Sequence, residues 1–241
     1  MSTQNKSPEP IFLLASSSIS RLQLLAKLGY KIDAILSPDI DETPLKTETP
    51  KLLCKRLAIE KGEEVVKTIF INDELNSKIK FISEDFVNLS SDLQLQAFKT
   101  RPIVFLSADT VAAVGRRILE KTFDRTICEN YLKLLSGRNH LVYTAVCTGL
   151  VSYDNLTKNV FVKNQACKIV ESRLKFKNLT NKEIESFLNT NQWQGNAGGY
   201  TISGYAERFV IKIIGSYSSV IGLPSYQTDC LLSRFLVSSG I

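Results

Sequence analysis

The chain has 241 residues, 44% of them hydrophobic and 22% charged, with a formal net charge of +6. That balance belongs to a globular protein long enough to bury a sizeable core. The positive charge suits an anionic ligand. It is too scattered for a nucleic-acid surface, because no Lys/Arg run is longer than a pair and the single Trp and the Tyr residues do not interleave with basic ones.

No apolar run reaches the length of a bilayer, which excludes a membrane-spanning helix. The stretch Met1–Pro10 is polar and lacks the apolar centre of a signal peptide. Cys54, Cys128, Cys147, Cys167 and Cys230 are far apart, odd in number and without a Cys-x-x-Cys pair. This pattern predicts reduced thiols in the cytoplasm rather than a disulfide frame or a zinc site. His140 is the only histidine. A His-rich metal centre is therefore excluded, and a Ser-His-Asp triad would hang on one residue with no nucleophile elbow nearby. His140 reads as a loop or strand-start residue.

In chain order, Ile11–Ala15 is a short apolar run that predicts a buried strand. It breaks into Ser16-Ser17-Ser18 and then into a helical pattern with Leu22, Leu25 and Leu28 on one face and Gly29 as the stop. A helix start has free N–H groups and a positive dipole end, to which Ser16, Ser18 and Arg21 add donors. The stretch is a phosphate cradle, or else Ser18 merely caps the helix and Arg21 is a solvated charge. Residues 31–36 form a second short strand. Asp39, Asp41 and Glu42 then crowd between Pro38 and Pro44 on an extended loop. Such carboxylates either hold a hard divalent cation or form a solvated acidic turn.

Thr49-Pro50 is an N-cap followed by proline at the first helical position, opening a helix to about Lys67. Its buried stripe is Leu53, Leu57 and Ala58, with Lys61 at the edge, where a stem can lie on the core and the ammonium can enter a cleft. Residues 72–100 are polar and weakly patterned, and read as an insertion with a short helix in it. Residues 103–114 form a strand that carries Asp109 inside an apolar run. A buried carboxylate needs a partner, a metal or a cleft. A turn at Gly115-Arg116-Arg117 returns the chain through Ile118-Leu119 to Lys121, which places Lys121 within reach of Asp109.

Residues 124–135 predict a third helix ended by Gly137. Residues 141–153 and 160–176 alternate as a long antiparallel hairpin. Thr180 and Glu183 make a capping box. Gly198-Gly199 require positive φ or close backbone approach. A strand over 209–214, a loop over 215–224 and a helix through Phe235 complete the chain. Interspersed helices and strands broken by hairpins predict an α/β fold with a mixed sheet. No dinucleotide fingerprint and no Walker loop is present.

Taken together, Ser16, Ser18, Arg21, Glu42, Lys61, Asp109 and Lys121 are the parts of metal-assisted phosphate chemistry: carboxylates for a cation, cations for phosphates and no covalent nucleophile. The sequence resembles the Maf family of nucleoside triphosphate pyrophosphatases, once linked to septum formation. The resemblance spans nearly the whole chain. It lies in Ala15-Ser16-x-Ser18-x-x-Arg21, Asp39-Ile40-Asp41-Glu42-Thr43, Arg56-Leu57-Ala58-x-x-Lys61, Ala108-Asp109-Thr110, Ile118-Leu119-x-Lys121, Leu135-Ser136-Gly137-Arg138, Ala197-Gly198-x-Tyr200 and Gly215-x-Tyr217-Ser218-x-Val220-x-Gly222-Leu223-Pro224.

This resemblance implies a mixed, strongly bent sheet flanked by helices, in one domain of two lobes around a cleft, also seen in the inosine triphosphatases, and usually a homodimer. It implies hydrolysis of a nucleoside triphosphate to monophosphate and pyrophosphate with Mg²⁺, Mn²⁺ or Co²⁺. By position, Ser16, Ser18 and Arg21 would bind phosphate, and Lys61 and Lys121 would hold the triphosphate. Glu42 and Asp109 would hold metal and water, with Asp109 as proton acceptor.

The chain departs from the family at Ser20, where a second arginine is usual, at Asn196, where a lysine is usual, and at Ser203. There the branch that favours dTTP and UTP carries a glutamine, so Ser203 counts as a substrate-binding position. The Tyr217-Ser218 loop resembles that same branch. An inosine-triphosphatase reading lacks its glycine-rich signature. A nucleotide sensor or division inhibitor on the same fold would bind without turnover, and a scaffold in which Asp109 only pairs with Lys121 would not bind at all.

Overall fold

A computed structural model describes residues 9–236. Most of Met1–Pro10, on which the signal-peptide reading rests, lies outside the described residues. The architecture is mixed α/β, built on an open eight-stranded sheet.

Strand β1 (Ile11–Ala15) lies inside the sheet, every residue buried. It runs parallel to β2 (Ala34–Ile35) on one side and to β6 (Ile103–Val114) on the other. β6 pairs antiparallel with β8 (Asn139–Asp154), and β8 with β9 (Asn159–Phe176). β10 (Val210–Ile214) is one edge, and β5 (Lys80–Phe81) the other. β7 (Arg117–Leu119) folds back on the end of β6, while β3 (Phe70–Ile71) and β4 (Glu74–Leu75) form a separate hairpin. The chain leaves β1 for β2 and later returns to β6 on its other flank. Ligands of open α/β sheets bind outside the carboxyl ends of strands at such a switch.

The helices are α1 (Ile19–Lys27), α2 (Pro50–Thr68), α3 (Glu84–Val87), α4 (Ser91–Thr100), α5 (Arg125–Leu135), α6 (Asn181–Leu188), α7 (Tyr217–Ile221) and α8 (Ser225–Leu232). Their starts follow local chemistry. Thr49 accepts from the Leu52 N–H, Asp124 from those of Thr126 and Ile127, and Thr180 with Glu183 closes a reciprocal capping box. One hydrophobic cluster, from Leu119 and Leu132 to Phe187 and Phe209, underlies the far end of β6 and β8. Others flank β1 on both faces and fill the space between α2 and β8.

Several expectations change. The second strand shrinks to two residues, although Asp33 and Leu36 still donate backbone bonds to Phe12 and Leu14. Residues 217–221, read as loop, form a helical turn capped by Ser216 and stopped by Gly222 at φ +125°. The last helix ends at Leu232, before Phe235. Residues 72–100 fold into β4, β5, α3 and α4, and bury Phe86 and Phe98 against Ile11 and Leu13. The five thiols are not all reduced. Cys147 and Cys167 are directly opposed across β8 and β9 and disulfide-bonded, with Cα atoms 4.1 Å apart. Spacing along the chain does not show strand register, which is what brings them together.

Candidate active site

The cleft opens where β1 ends. Ala15 delivers the chain to Ser16, buried, and Ser18, the N-cap of α1. Ser18 does not cap with its side chain. Its N–H instead donates to Ser16 Oγ at 3.2 Å. Arg21, one turn into α1, donates through Nη1 to Ser16 Oγ at 3.0 Å and through Nε to the Gly222 carbonyl at 3.0 Å. The guanidinium is thus fixed between the first turn and the end of α7. Burial lowers its pKa, and the charges of Asp109, Cys54 and Glu42 act against that.

Lys61 comes from α2. It lies deeper than the helix-edge reading allowed, at 6% exposure. Its Nζ is 2.6 Å from Asp109 Oδ1 and 2.7 Å from Glu42 Oε1. Asp109 sits in β6 at 1% exposure, and its Oδ2 is buried with no partner. Lys121, just after β7, is 2.6 Å from Glu42 Oε2. Burial raises the Glu42 pKa, but the hydrogen bonds from Lys121 and Lys61 outweigh it and hold the carboxyl below its ordinary value.

Asp109 and Lys121 line one small space, as expected, but they do not pair. Asp109 pairs with Lys61, and Lys121 reaches Glu42, because the 39–44 loop folds over the end of β7. Asp39 and Asp41 stay exposed, with Asp41 accepting the Thr43 N–H in a local turn.

The cleft encloses about 350 Å³ and is lined at this end by Ser16, Ser18, Arg21, Glu42, Lys61 and Lys121. It is also lined by Ala112, Val142, Tyr200, Ile202 and Ile221, with Asn196 and Thr201 among them. A smaller space of about 220 Å³ adjoins it through Glu42, Thr110 and Lys121, and is lined by Asp109. The arrangement can hold an anion chain over the cations and an apolar group beyond them. Ser203 is not brought to the cleft. It is exposed, with its hydroxyl 3.1 Å from that of Thr201, because the chain turns away after Ile202.

Sequence reasoning did not find Cys54, whose Sγ lies 3.3 Å from the carbonyls of Asp109 and Tyr143 and accepts the Ala145 N–H at 3.1 Å. It is seven residues before Lys61, on the same face of α2, and that helical spacing was the available signal. Also missed was the hydroxyl relay of Thr110, Thr144 and the Ser219 carbonyl, which ties β6 and β8 to α7. Nothing local in the sequence marks it.

The profile of the Maf-like protein family matches residues 11–235. Over 223 residues the chain is 40% identical to a protein of Bradyrhizobium diazoefficiens named dTTP/UTP pyrophosphatase, covering 92% of this chain and 90% of that one. A protein of the same name from Rhodopseudomonas palustris is 40% identical over 223 residues, with 92% and 91% covered. One from Mesorhizobium japonicum is 39% identical over 221 residues, with 92% and 89% covered.

Proposed function

The chain belongs to the Maf-like protein family, and from that premise we propose that it hydrolyses nucleoside triphosphates, dTTP and UTP among them, to the monophosphate and pyrophosphate. The observation that carries this reading is the buried Lys61–Asp109 pair: Lys61 lines the cleft together with Arg21 and Lys121, and Asp109, with one unpartnered oxygen, lines the smaller space that adjoins it.

Water attacks the α-phosphorus, its oxygen forms the new P–O bond, and the bond to the bridging oxygen breaks. One proton leaves the water, and the electron pair of the broken bond departs with pyrophosphate. Asp109 is the group to take that proton. Its Oδ2 has no competing partner, while Oδ1 is anchored by Lys61. Ser16, Ser18 and Arg21 receive phosphate oxygens, and Lys61 and Lys121 neutralise charge as it moves toward pyrophosphate.

The donor set fits a divalent cation. Glu42 and Asp109 are hard carboxylate ligands, and no three His, Cys, Asp or Glu side chains converge among the described residues. Mg²⁺ sites commonly use one or two carboxylates, with phosphates and water supplying the rest. When bound, Mg²⁺, Mn²⁺ or Co²⁺ supplies further neutralisation of the triphosphate. Ser20, Asn196 and the exposed Ser203 leave fewer side-chain donors than the family pattern carries, so base preference is expected to differ more than the chemical step. The family pattern makes a homodimer the expected working form. Among the described residues no helix is long and apolar enough to cross a membrane.

The test is pyrophosphate release from a panel of canonical and modified nucleoside triphosphates with each cation, for wild type and Asp109→Asn. Metal-dependent release that falls by about 10²- to 10⁴-fold in the variant supports the assignment. Binding without release from any substrate would instead identify a nucleotide sensor.

A further inference from the structure

His140 takes no part in the chemistry above, yet it is the second residue of β8 and 1% exposed. Its Nε2 is 2.7 Å from the hydroxyl of Tyr200, and its Nδ1 is buried without a partner. The imidazole stands edge-on to Phe176 and to Tyr200, with ring centroids 4.9 and 5.6 Å away. A half-satisfied imidazole in an aromatic core lowers stability, and an apolar pair of similar shape at both positions avoids the loss. Fold stability therefore does not account for the pair. What the bond supplies is direction: it fixes how the Tyr200 ring is set.

Tyr200 lines the cleft and is 5% exposed. It follows Gly198 and Gly199, at φ +72° and +68°. A Cβ on Gly198 would come within 2.9 Å of Ala112 Cβ, and one on Gly199 within 2.9 Å of Cys128 Sγ. Residues 197–200 are thus pressed between β6 and α5, and His140 locks the last of them from below. Ala112 is three residues beyond Asp109 on the same strand, roughly 10 Å at about 3.3 Å per residue. Arg21, Lys61, Lys121 and Tyr200 line the same cleft, so a triphosphate held over the three cations would have this wall for its nucleoside.

We propose that His140 is a positioning residue: through Tyr200 it sets the wall on which the nucleoside half of the substrate rests. The proposal rests on the hydrolase reading for its substrate. The test compares wild type, the His140→Leu/Tyr200→Phe double variant and the single His140→Gln variant, which keeps a partner for the Tyr200 hydroxyl. Each is measured for thermal stability, for kcat and KM with dTTP, for Kd of a non-cleavable α,β-methylene dTTP, and for inhibition by inorganic pyrophosphate.

The double variant is expected to be as stable as wild type or more so, with KM and Kd raised about 5- to 10-fold, the order of one lost buried hydrogen bond. Its kcat is expected to stay within about twofold, and inhibition by pyrophosphate to stay unchanged, because pyrophosphate touches only the cationic end. His140→Gln is expected to return KM toward wild type. General damage would move pyrophosphate inhibition together with KM, and that result overturns the proposal, as does a double variant with unchanged KM and Kd. If wild type binds the analogue but releases no pyrophosphate, the hydrolase reading fails, while a raised Kd in the double variant still upholds the role of His140. If wild type binds neither, both fall.

Discussion

Replacing Lys61 by Met removes a cation that touches both Asp109 and Glu42, at 2.6 and 2.7 Å. Asp109 at 1% exposure would lose the ammonium beside it. Removing one partner of a buried ion pair costs about 3–5 kcal/mol. Lys61→Met is expected to lose stability of that order in chemical denaturation and to lose turnover. Lys61→Met/Asp109→Asn is expected to recover most of the stability and none of the activity, which separates the folding role of the pair from its chemical one.

His140 adds a pH dependence. Burial lowers its pKa to about 4, against about 6.5 in an unfolded chain. Between those values the unfolded state binds a proton that the folded state does not. The stability contribution is therefore full above about pH 6.5, falls as pH drops, and is completely lost below about pH 4, at up to about 1.4 kcal/mol per unit. Denaturation midpoints between about pH 7 and pH 4 should fall more steeply in wild type than in His140→Leu/Tyr200→Phe, because the lowered carboxylates such as Glu42 and Glu183 act in both and His140 only in the first. Asp109 and Arg21 drew attention in the sequence because each broke a local rule: a carboxylate in an apolar strand, an arginine at a helix start. Their pairing was not legible. The Glu42 loop chooses which lysine faces Asp109, and only tertiary packing fixes that loop.

Elements were readable where capping chemistry is local. Thr49-Pro50, Asp124 and Thr180 with Glu183 each mark a helix start, and each cap is formed. The five-residue α7 was not readable, because it is too short to show periodicity and its cap is a serine within a serine-rich run. The Cys147–Cys167 bond was hidden for a related reason: it depends on strand register across a hairpin. Thiol titration of the unfolded, unreduced protein is expected to count three free cysteines, Cys54, Cys128 and Cys230, and five after reduction. The glycine segment was read correctly as a place where backbone geometry matters. Gly198→Ala is expected to destabilise by about 1 kcal/mol or more from its φ of +72° alone, and to raise KM as the methyl pushes the segment off Ala112. A variant with native stability and native KM would show that the segment gives way without consequence.

At the scale of the molecule the question is whether residues 76–100 are an accessory or part of what holds the sheet. Asp33 is buried beside β2 and accepts the Phe12 N–H and the Ser83 hydroxyl, each at 2.8 Å, while its carbonyl accepts the Ile82 N–H at 2.9 Å. Phe81 stacks on Phe86, and Phe86 and Phe98 are fully buried in the cluster that holds Ile11, Leu13, Val65 and Phe105. Removing the segment strips one bond from a buried carboxylate and uncovers one face of β1. Two phenylalanines of this kind are worth about 1.5–3 kcal/mol each, against a total stability of about 5–15 kcal/mol for a typical domain. Replacing 76–100 by a short Gly/Ser linker is therefore expected to abolish cooperative unfolding, not merely to trim the surface. Because β1 runs straight into Ser16, hydrogen exchange in Ser83→Ala, a milder lesion in the same contact, should rise along β1 and at the Ser16–Arg21 turn before it rises in β8 and β9. Faster exchange confined to residues 76–100 would mean instead that the segment rides on a sheet stable without it, and that the phosphate cradle owes it nothing.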